Sequence, residues 1–237
     1  MTEYRYNAKT HVGHKRKVNE DAVLALPGQD IWVVSDGMGG HEAGDYASRL
    51  IADRIAMIPA GLDPTERMHA LRDAIQDSHR IILNEAEARG RGVIGATVAA
   101  LMLANGHFVG LWAGDSRIYR LHGGRIEMLT TDHSAVAELV LSGQMTWDEA
   151  EQHPQSNAIT RAVGVGDTLE LDKIRGEARG GDRFLICSDG LTKYATFAVL
   201  ETVLGREPLE TVSDRLIEIA LHGGGADNIT VIVVDVL

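Results

Sequence analysis

Apolar positions along the 237-residue chain change period several times, and each change marks an element. Residues Glu3 to Thr10 alternate weakly and read as an opening strand; Asp21 leads through Val23 and Leu24 into a second, which Pro27-Gly28 ends. Ile31 to Val34 is a short, β-branched apolar run, the pattern of a buried strand, and it delivers Asp36 followed by Gly37, Gly39 and Gly40. Ala43, Ala47, Ile51, Ile55 and Ile58 then recur at helical spacing until Pro59-Ala60-Gly61. Asp63-Pro64-Thr65-Glu66 opens the next helix, with an N-cap, a first-turn proline and a capping-box glutamate, and Leu71, Ile75 and Ile82 form its apolar face.

From Gly95 the chain turns to strands. Thr97 to Leu103 is almost wholly apolar, Asn105-Gly106 is a hairpin turn, and Phe108 to Ala113 returns. Ile118 to Leu121, Gly123-Gly124 and Ile126 to Leu129 are expected to complete an antiparallel meander. Strands apolar on both faces need cover on both, from a second sheet or from helices. Residues 132–161 are polar and broken into short helical pieces, an insertion beside the site. Strands near Thr168 to Ile174, at Phe184 to Cys187 and at Ile229 to Val236, with a helix from Pro208 to Leu221, complete the chain as one domain, 1–237.

Composition narrows the function. Thirty-four acidic against 23 basic residues give a net charge of −11, which disfavours a nucleic-acid partner because a phosphate backbone demands a basic face. Cys187 is the only cysteine, so neither an intrachain disulfide nor a cysteine metal cluster is available. A polar N-terminus and the lack of any span-length apolar run lead to the expectation of a cytoplasmic protein with no membrane contact.

The chemistry lies in the aspartates. Asp36, Asp115, Asp189 and Asp227 are all expected at strand ends, three of them beside glycine. Singly, each could be a turn acceptor. Together at one end of a sheet they would crowd like charges, which raises pKa values or recruits cations. Oxygen ligands without cysteine or a histidine cluster favour Mg²⁺ or Mn²⁺. Two such ions sharing a carboxylate suit in-line hydrolysis of a phosphate ester. The glycines after Asp36 fit neither a Walker loop, since no lysine follows, nor a dinucleotide fingerprint, since Glu42 stands where its third glycine belongs.

In order, Arg16-x-x-Asn19-Glu20-Asp21, Asp36-Gly37-Met38-Gly39-Gly40-His41, Gly95-Ala96-Thr97, Gly114-Asp115-Ser116-Arg117, Thr131-Asp132-His133-Ser134, Thr160-Arg161-Ala162-Val163-Gly164, Ser188-Asp189-Gly190 and Asp227-Asn228-Ile229-Thr230 span nearly the whole chain. This series resembles the motifs of the metal-dependent (type 2C, PPM) serine/threonine protein phosphatases, in their compact bacterial branch. The resemblance implies an α+β fold, a four-layer α-β-β-α sandwich of two central antiparallel sheets flanked by helix pairs. It implies hydrolysis of phosphoserine and phosphothreonine on proteins, opposing a Ser/Thr kinase, by direct attack of a metal-bridging hydroxide at a binuclear Mn²⁺ or Mg²⁺ centre.

By position, Asp36 would bridge the two metals and the Gly37 carbonyl would ligate one. Asp189 and Asp227 would hold the other, Glu20 and Asp21 would position waters, and Asp115 would help hold a weaker third ion. Arg16 would clamp the substrate phosphate, and 132–161 resembles the family's flap. Met38 replaces a histidine that many eukaryotic relatives carry as a proposed general acid. His41 is then the candidate acid among the histidines, set against a structural or surface role; His133 reads as a loop holder. The implied partners are phosphorylated proteins, a Ser/Thr kinase and its targets among them, and the chain is expected to be a monomer. Two other functions compete: a catalytically idle phosphoprotein-binding relative, and a phosphatase of small phosphorylated metabolites.

Overall fold

The computed structural model describes residues 3–40, 43–90 and 92–237. Strands β1 (Tyr4–His11), β2 (Asp21–Leu26) and β3 (Ile31–Met38) precede helices α1 (Ala43–Ala56) and α2 (Pro64–Ala88). Then follow β4 (Gly95–Ala96), β5 (Val98–Ala104), β6 (His107–Ala113), β7 (Arg117–His122) and β8 (Arg125–Met128). Short helices α3 (Ala137–Leu141) and α4 (Trp147–Ala150) lead to β9 (Asp172–Glu177), β10 (Arg183–Cys187), α5 (Asp189–Thr192), α6 (Phe197–Arg206), α7 (Leu209–Gly223) and β11 (Ile229–Val236).

Two antiparallel sheets result, ordered β1-β11-β10-β7-β8 and β2-β3-β5-β6-β9, with β4 added to β3. Strand periodicity sorts each side chain into one of three apolar layers. Ile31, Val33, Val98 and Ala100 pack with Ile51, Ile55, Leu71 and Ile75 of α1 and α2. Trp32, Val34, Ala99 and Leu101 point the other way and meet Phe184, Ile186, Ile232 and Val234 of the opposite sheet. Leu185, Val231 and Val233 turn outward onto Leu200, Leu216 and Ile217 of α6 and α7. The layer order is therefore α-β-β-α. Phe108 against Phe184, with ring centroids 5.4 Å apart, and Tyr4 edge-on to Trp32 at 5.9 Å tie one sheet to the other.

Several elements follow the sequence pattern closely. Asp63 caps α2 through Thr65 and Glu66 in a complete capping box, and Asn105 and Gly106 take the positive φ values (50° and 73°) of a tight hairpin. The expected meander does not form. β5 and β6 lie in one sheet and β7 and β8 in the other, so the chain changes sheets across Gly114-Asp115-Ser116. Gly114 makes the crossing at φ 109°, packed so tightly on Thr97 that an added Cβ would stand 2.6 Å from its methyl carbon. Strand β3 also continues through Asp36 and Gly37 to Met38 instead of turning at Asp36. Gly37 is needed there for contact, since a Cβ would lie 2.1 Å from the Gly44 carbonyl oxygen of α1. Helix α6 was not expected; Thr196, whose hydroxyl accepts from the Val199 N–H, was its signal.

Candidate active site

The same alternation that builds the inter-sheet core carries polar residues to one end of it. In β3 the even positions Trp32 and Val34 face the gap, and so Asp36 does too; in β2, Val23 and Ala25 pack there and Asp21 shares their phase. Asp21 and Asp36 are direct cross-strand partners. Across the gap, Phe184 and Ile186 are followed in phase by Ser188, and Ile232 is preceded by Thr230 and Asn228. Asp189 opens α5 straight after β10, Asp115 sits in the crossing between the sheets, and Asp227 stands just before β11.

Hydrogen bonds stitch this end together. The Ser188 hydroxyl donates to Asp21 Oδ2 (2.9 Å) and accepts from the Thr230 N–H (3.0 Å), joining the two sheets through one side chain. Asn228 accepts from the Glu20 N–H (2.8 Å) and donates to the carbonyls of Val12 (2.9 Å) and Val18 (3.1 Å), which fixes the segment carrying Arg16. Arg16, with about half its side chain exposed, donates through Nε and Nη2 to the two oxygens of Asp227, both at 2.8 Å. The Glu20 carbonyl accepts from the Gly37 N–H (3.1 Å) and the Ser48 hydroxyl (2.5 Å). Thr97 accepts from the Asp36 N–H (2.9 Å) and bonds Ser116 (2.6 Å), linking β3 to the crossing.

The electrostatics are those of carboxylates held together without enough countercharge. Burial pushes Asp36 well above the usual carboxylate range, and the charges of Asp21, Asp189, Asp115 and Asp227 push it further. Burial likewise raises Asp21 to about 7, against hydrogen bonds from Thr230 and Ser188 that pull it down. Asp189 is raised by burial and then by Asp227; Asp115 is raised by burial, Asp189 and Asp132, with Arg117 opposing. Asp21 Oδ1 and Asp189 Oδ1 are buried and accept no hydrogen bond among the described residues. Orphaned carboxylate oxygens facing other carboxylates are what a hard divalent cation satisfies, so the donor set fits Mg²⁺ or Mn²⁺. Among the described residues no three such side chains are already closed into a ligand cluster.

All the sequence-predicted aspartates, with Glu20, Gly37 and Arg16, thus meet at one end of the sandwich, and Arg16 is paired with one of them. His41 lies outside the described residues. His133 holds a loop: its Nδ1 accepts from the Gly114 N–H (3.1 Å), and its ring stacks on Trp112. Sequence reasoning assigned no role to Thr97, Ser188 or Asn228, although each stands inside a recognised motif. It also passed over Arg117, only 4% exposed. Arg117 binds Asp132 through Nε (2.9 Å to Oδ1) and Nη2 (2.6 Å to Oδ2), forms an ion pair with Glu151 (2.8 Å) and lies 5.2 Å from the centroid of the Trp147 ring. Segment 132–161 is therefore docked on a residue two positions from Asp115. It also reaches the residues following Asp189, where Lys193 donates to Asn157 (2.9 Å).

A family model described as protein phosphatase 2C matches residues 10–220. The serine/threonine protein phosphatase PstP of Mycobacterium tuberculosis is 36% identical over 234 residues, covering 98% of this chain but 45% of PstP, so the chain spans less than half of that relative. Among solved structures, PppA, described as a key regulatory component of T6SS in Pseudomonas aeruginosa, is 42% identical with a TM-score of 0.92, over 99% of this chain and 98% of that one. The catalytic domain of PstP in complex with two manganese ions is 34% identical with a TM-score of 0.86, over the full length (100%) of both chains.

Proposed function

Because the chain belongs to the protein phosphatase 2C family, we propose that it is a metal-dependent phosphatase of phosphoserine and phosphothreonine in proteins, acting against a Ser/Thr kinase. The observation that carries the reading is the group of Asp21, buried, and Asp36, Asp189 and Asp227, partly buried, with orphaned oxygens on Asp21 and Asp189, next to the guanidinium of Arg16. Asp36 with the Gly37 carbonyl, Asp189 and Asp227 would hold two Mn²⁺ or Mg²⁺ ions, and Asp115 would contribute to a third. When bound, the ions supply Lewis-acid polarisation of the phosphoryl group and a lowered pKa for an attacking water.

The protein's own residues bind and orient. Arg16 offers a planar fork of donors to the phosphate oxygens, in the geometry it now uses on Asp227. Asp21, oriented by Ser188, and Glu20, on a backbone tied to Asn228, accept hydrogen bonds from waters at the site and hold them beside the phosphate. Segment 132–161, docked by Arg117, would serve as the flap, since its Glu151, Ser156 and Asn157 line a cavity with Asp115 and Asp189. Met38 puts no proton donor beside the leaving group.

The test is hydrolysis of a phosphothreonine peptide and of p-nitrophenyl phosphate after exhaustive chelation and again with added Mn²⁺ or Mg²⁺. Activity that disappears and returns is expected. Full activity in excess chelator would refute the metal-dependent reading. Turnover of small phosphorylated metabolites with none of the peptide would move the substrate to that class. Metal binding without any turnover would leave an idle phosphoprotein-binding relative.

A further inference from the structure

The sequence shows three adjacent cations, Lys15, Arg16 and Lys17, in a chain of net charge −11, and the proposed chemistry uses only the middle one. In the structure Lys15 and Lys17 are exposed. Neither forms an ion pair among the described residues, while Arg16 between them is engaged with Asp227. Lys15, Arg16, Lys17, Val18 and Glu20 line an open groove of about 240 Å³ at the edge of the carboxylate site. Val18 gives this groove an apolar patch, at 38% exposure, and Glu20 contributes an acidic side chain.

The segment is not a loose surface loop. The His14 N–H donates to the Gly225 carbonyl (2.7 Å), Asn228 holds the carbonyls of Val12 and Val18, and Asn19 donates to Thr10 (2.8 Å). Its backbone is therefore pinned on both sides of the cations, so the lysines are presented from a fixed base. Holding like charges together on a pinned backbone is unfavourable unless anions meet them. The Asp227 carboxylate meets Arg16 in this way, whereas the two lysines line the open groove.

We propose that Lys15 and Lys17 form a subsite for a second anionic group of the substrate, an acidic side chain or a second phosphate near the phosphorylated residue. This rests on the phosphoprotein-phosphatase reading and adds the substrate class to it. Adjacent Cα atoms are about 3.8 Å apart, and an extended peptide advances about 3.3–3.6 Å per residue. A lysine side chain beside Arg16 thus reaches an anion roughly two to three residues from a phosphate held on Arg16. Val18 would meet an apolar side chain between them.

The experiment uses the intact chain with saturating Mn²⁺ and phosphothreonine peptides of one length. One set carries alanine at two and three residues on either side, a second carries glutamate there, and a third carries phosphoserine. The ratio of KM values, neutral over anionic, is measured for wild type and for the K15A/K17A and K15E/K17E variants at low and high salt. In wild type the anionic peptides are expected to have KM lower by about three- to tenfold, the range for two exposed charge contacts. That advantage should shrink with salt, fall to near one in K15A/K17A and invert in K15E/K17E. Glutamate and phosphoserine peptides favoured alike assign a general anion subsite; phosphoserine favoured alone assigns a phosphate subsite. Equal KM for all peptides in wild type, or a preference that survives in K15A/K17A, would overturn the subsite and leave the phosphatase reading standing. No turnover of any phosphopeptide would overturn both.

Discussion

Arg16 holds Asp227 through two parallel hydrogen bonds, each 2.8 Å, although sequence reasoning gave the first to phosphate and the second to metal. A divalent ion at Asp227 must therefore compete with a guanidinium, and metal binding and Arg16 release become linked. Arg16→Ala is expected to tighten Mn²⁺ binding up to about fivefold, the scale of a partly exposed ion pair. KM for a phosphopeptide should rise about tenfold or more, from the loss of a charge-assisted contact. Titration calorimetry and steady-state kinetics on one variant check both signs; weaker Mn²⁺ binding would contradict the competition.

The metal-free protein should lose stability as pH rises from about 4 to 7. Asp21 has its carboxyl raised from 3.8 to about 7 by burial, so in this window the folded chain keeps a proton that the unfolded chain has lost. With fewer protons on the unfolded state, unfolding free energy falls with pH. At roughly 1.4 kcal/mol per pH unit the loss from Asp21 is about 4 kcal/mol at most, complete above its folded pKa. Urea denaturation of chelated protein across this range measures it. Saturating Mn²⁺ should flatten the curve by supplying the missing countercharge, and Asp21→Asn should make it shallower without metal, leaving the slope that the raised carboxyls of Asp36, Asp115 and Asp189 contribute.

Asp36→Asn separates activity from stability. Turnover should fall by roughly 10²–10³-fold or more, as for other groups that set the field at a reacting centre. The chelated variant should nevertheless melt higher than chelated wild type at pH 8, because one of the crowded charges around Asp21, Asp189 and Asp115 is gone. A lower melting temperature would show that Asp36 stabilises the metal-free fold after all.

Buried Arg117 is expected to control the flap. Arg117→Met leaves Asp132 and Glu151 without their cation and should cost about 3–5 kcal/mol. Glu151→Gln spares the Arg117–Asp132 pair and weakens only the flap's far anchor. It should speed limited proteolysis within 132–161 and raise KM for phosphopeptides, with global stability within about 1 kcal/mol of wild type. Unchanged proteolysis would remove Glu151 from the docking of the flap.

Local and periodic features were legible in the sequence. The capping box at Asp63, the Asn105-Gly106 turn and the bounds of β11 depend on neighbours a few residues apart. Continuous apolar runs identified strands apolar on both faces, and the aspartates were visible as carboxylates at the ends of such strands. What such a run cannot specify is which strand lies beside which, because the same apolar face packs on either sheet. At Gly114, where a continuing meander was expected, the chain instead changes sheets, with that glycine packed tightly on Thr97. Tertiary structure alone brought Ser188 to Asp21 across 167 residues and Arg16 to Asp227 across 211. It also carried Glu151, part of no recognised motif, to the buried charge of Arg117. Such pairings have no local sequence signal, since their energy depends on charges meeting where water has been excluded, and only the closed sandwich excludes it.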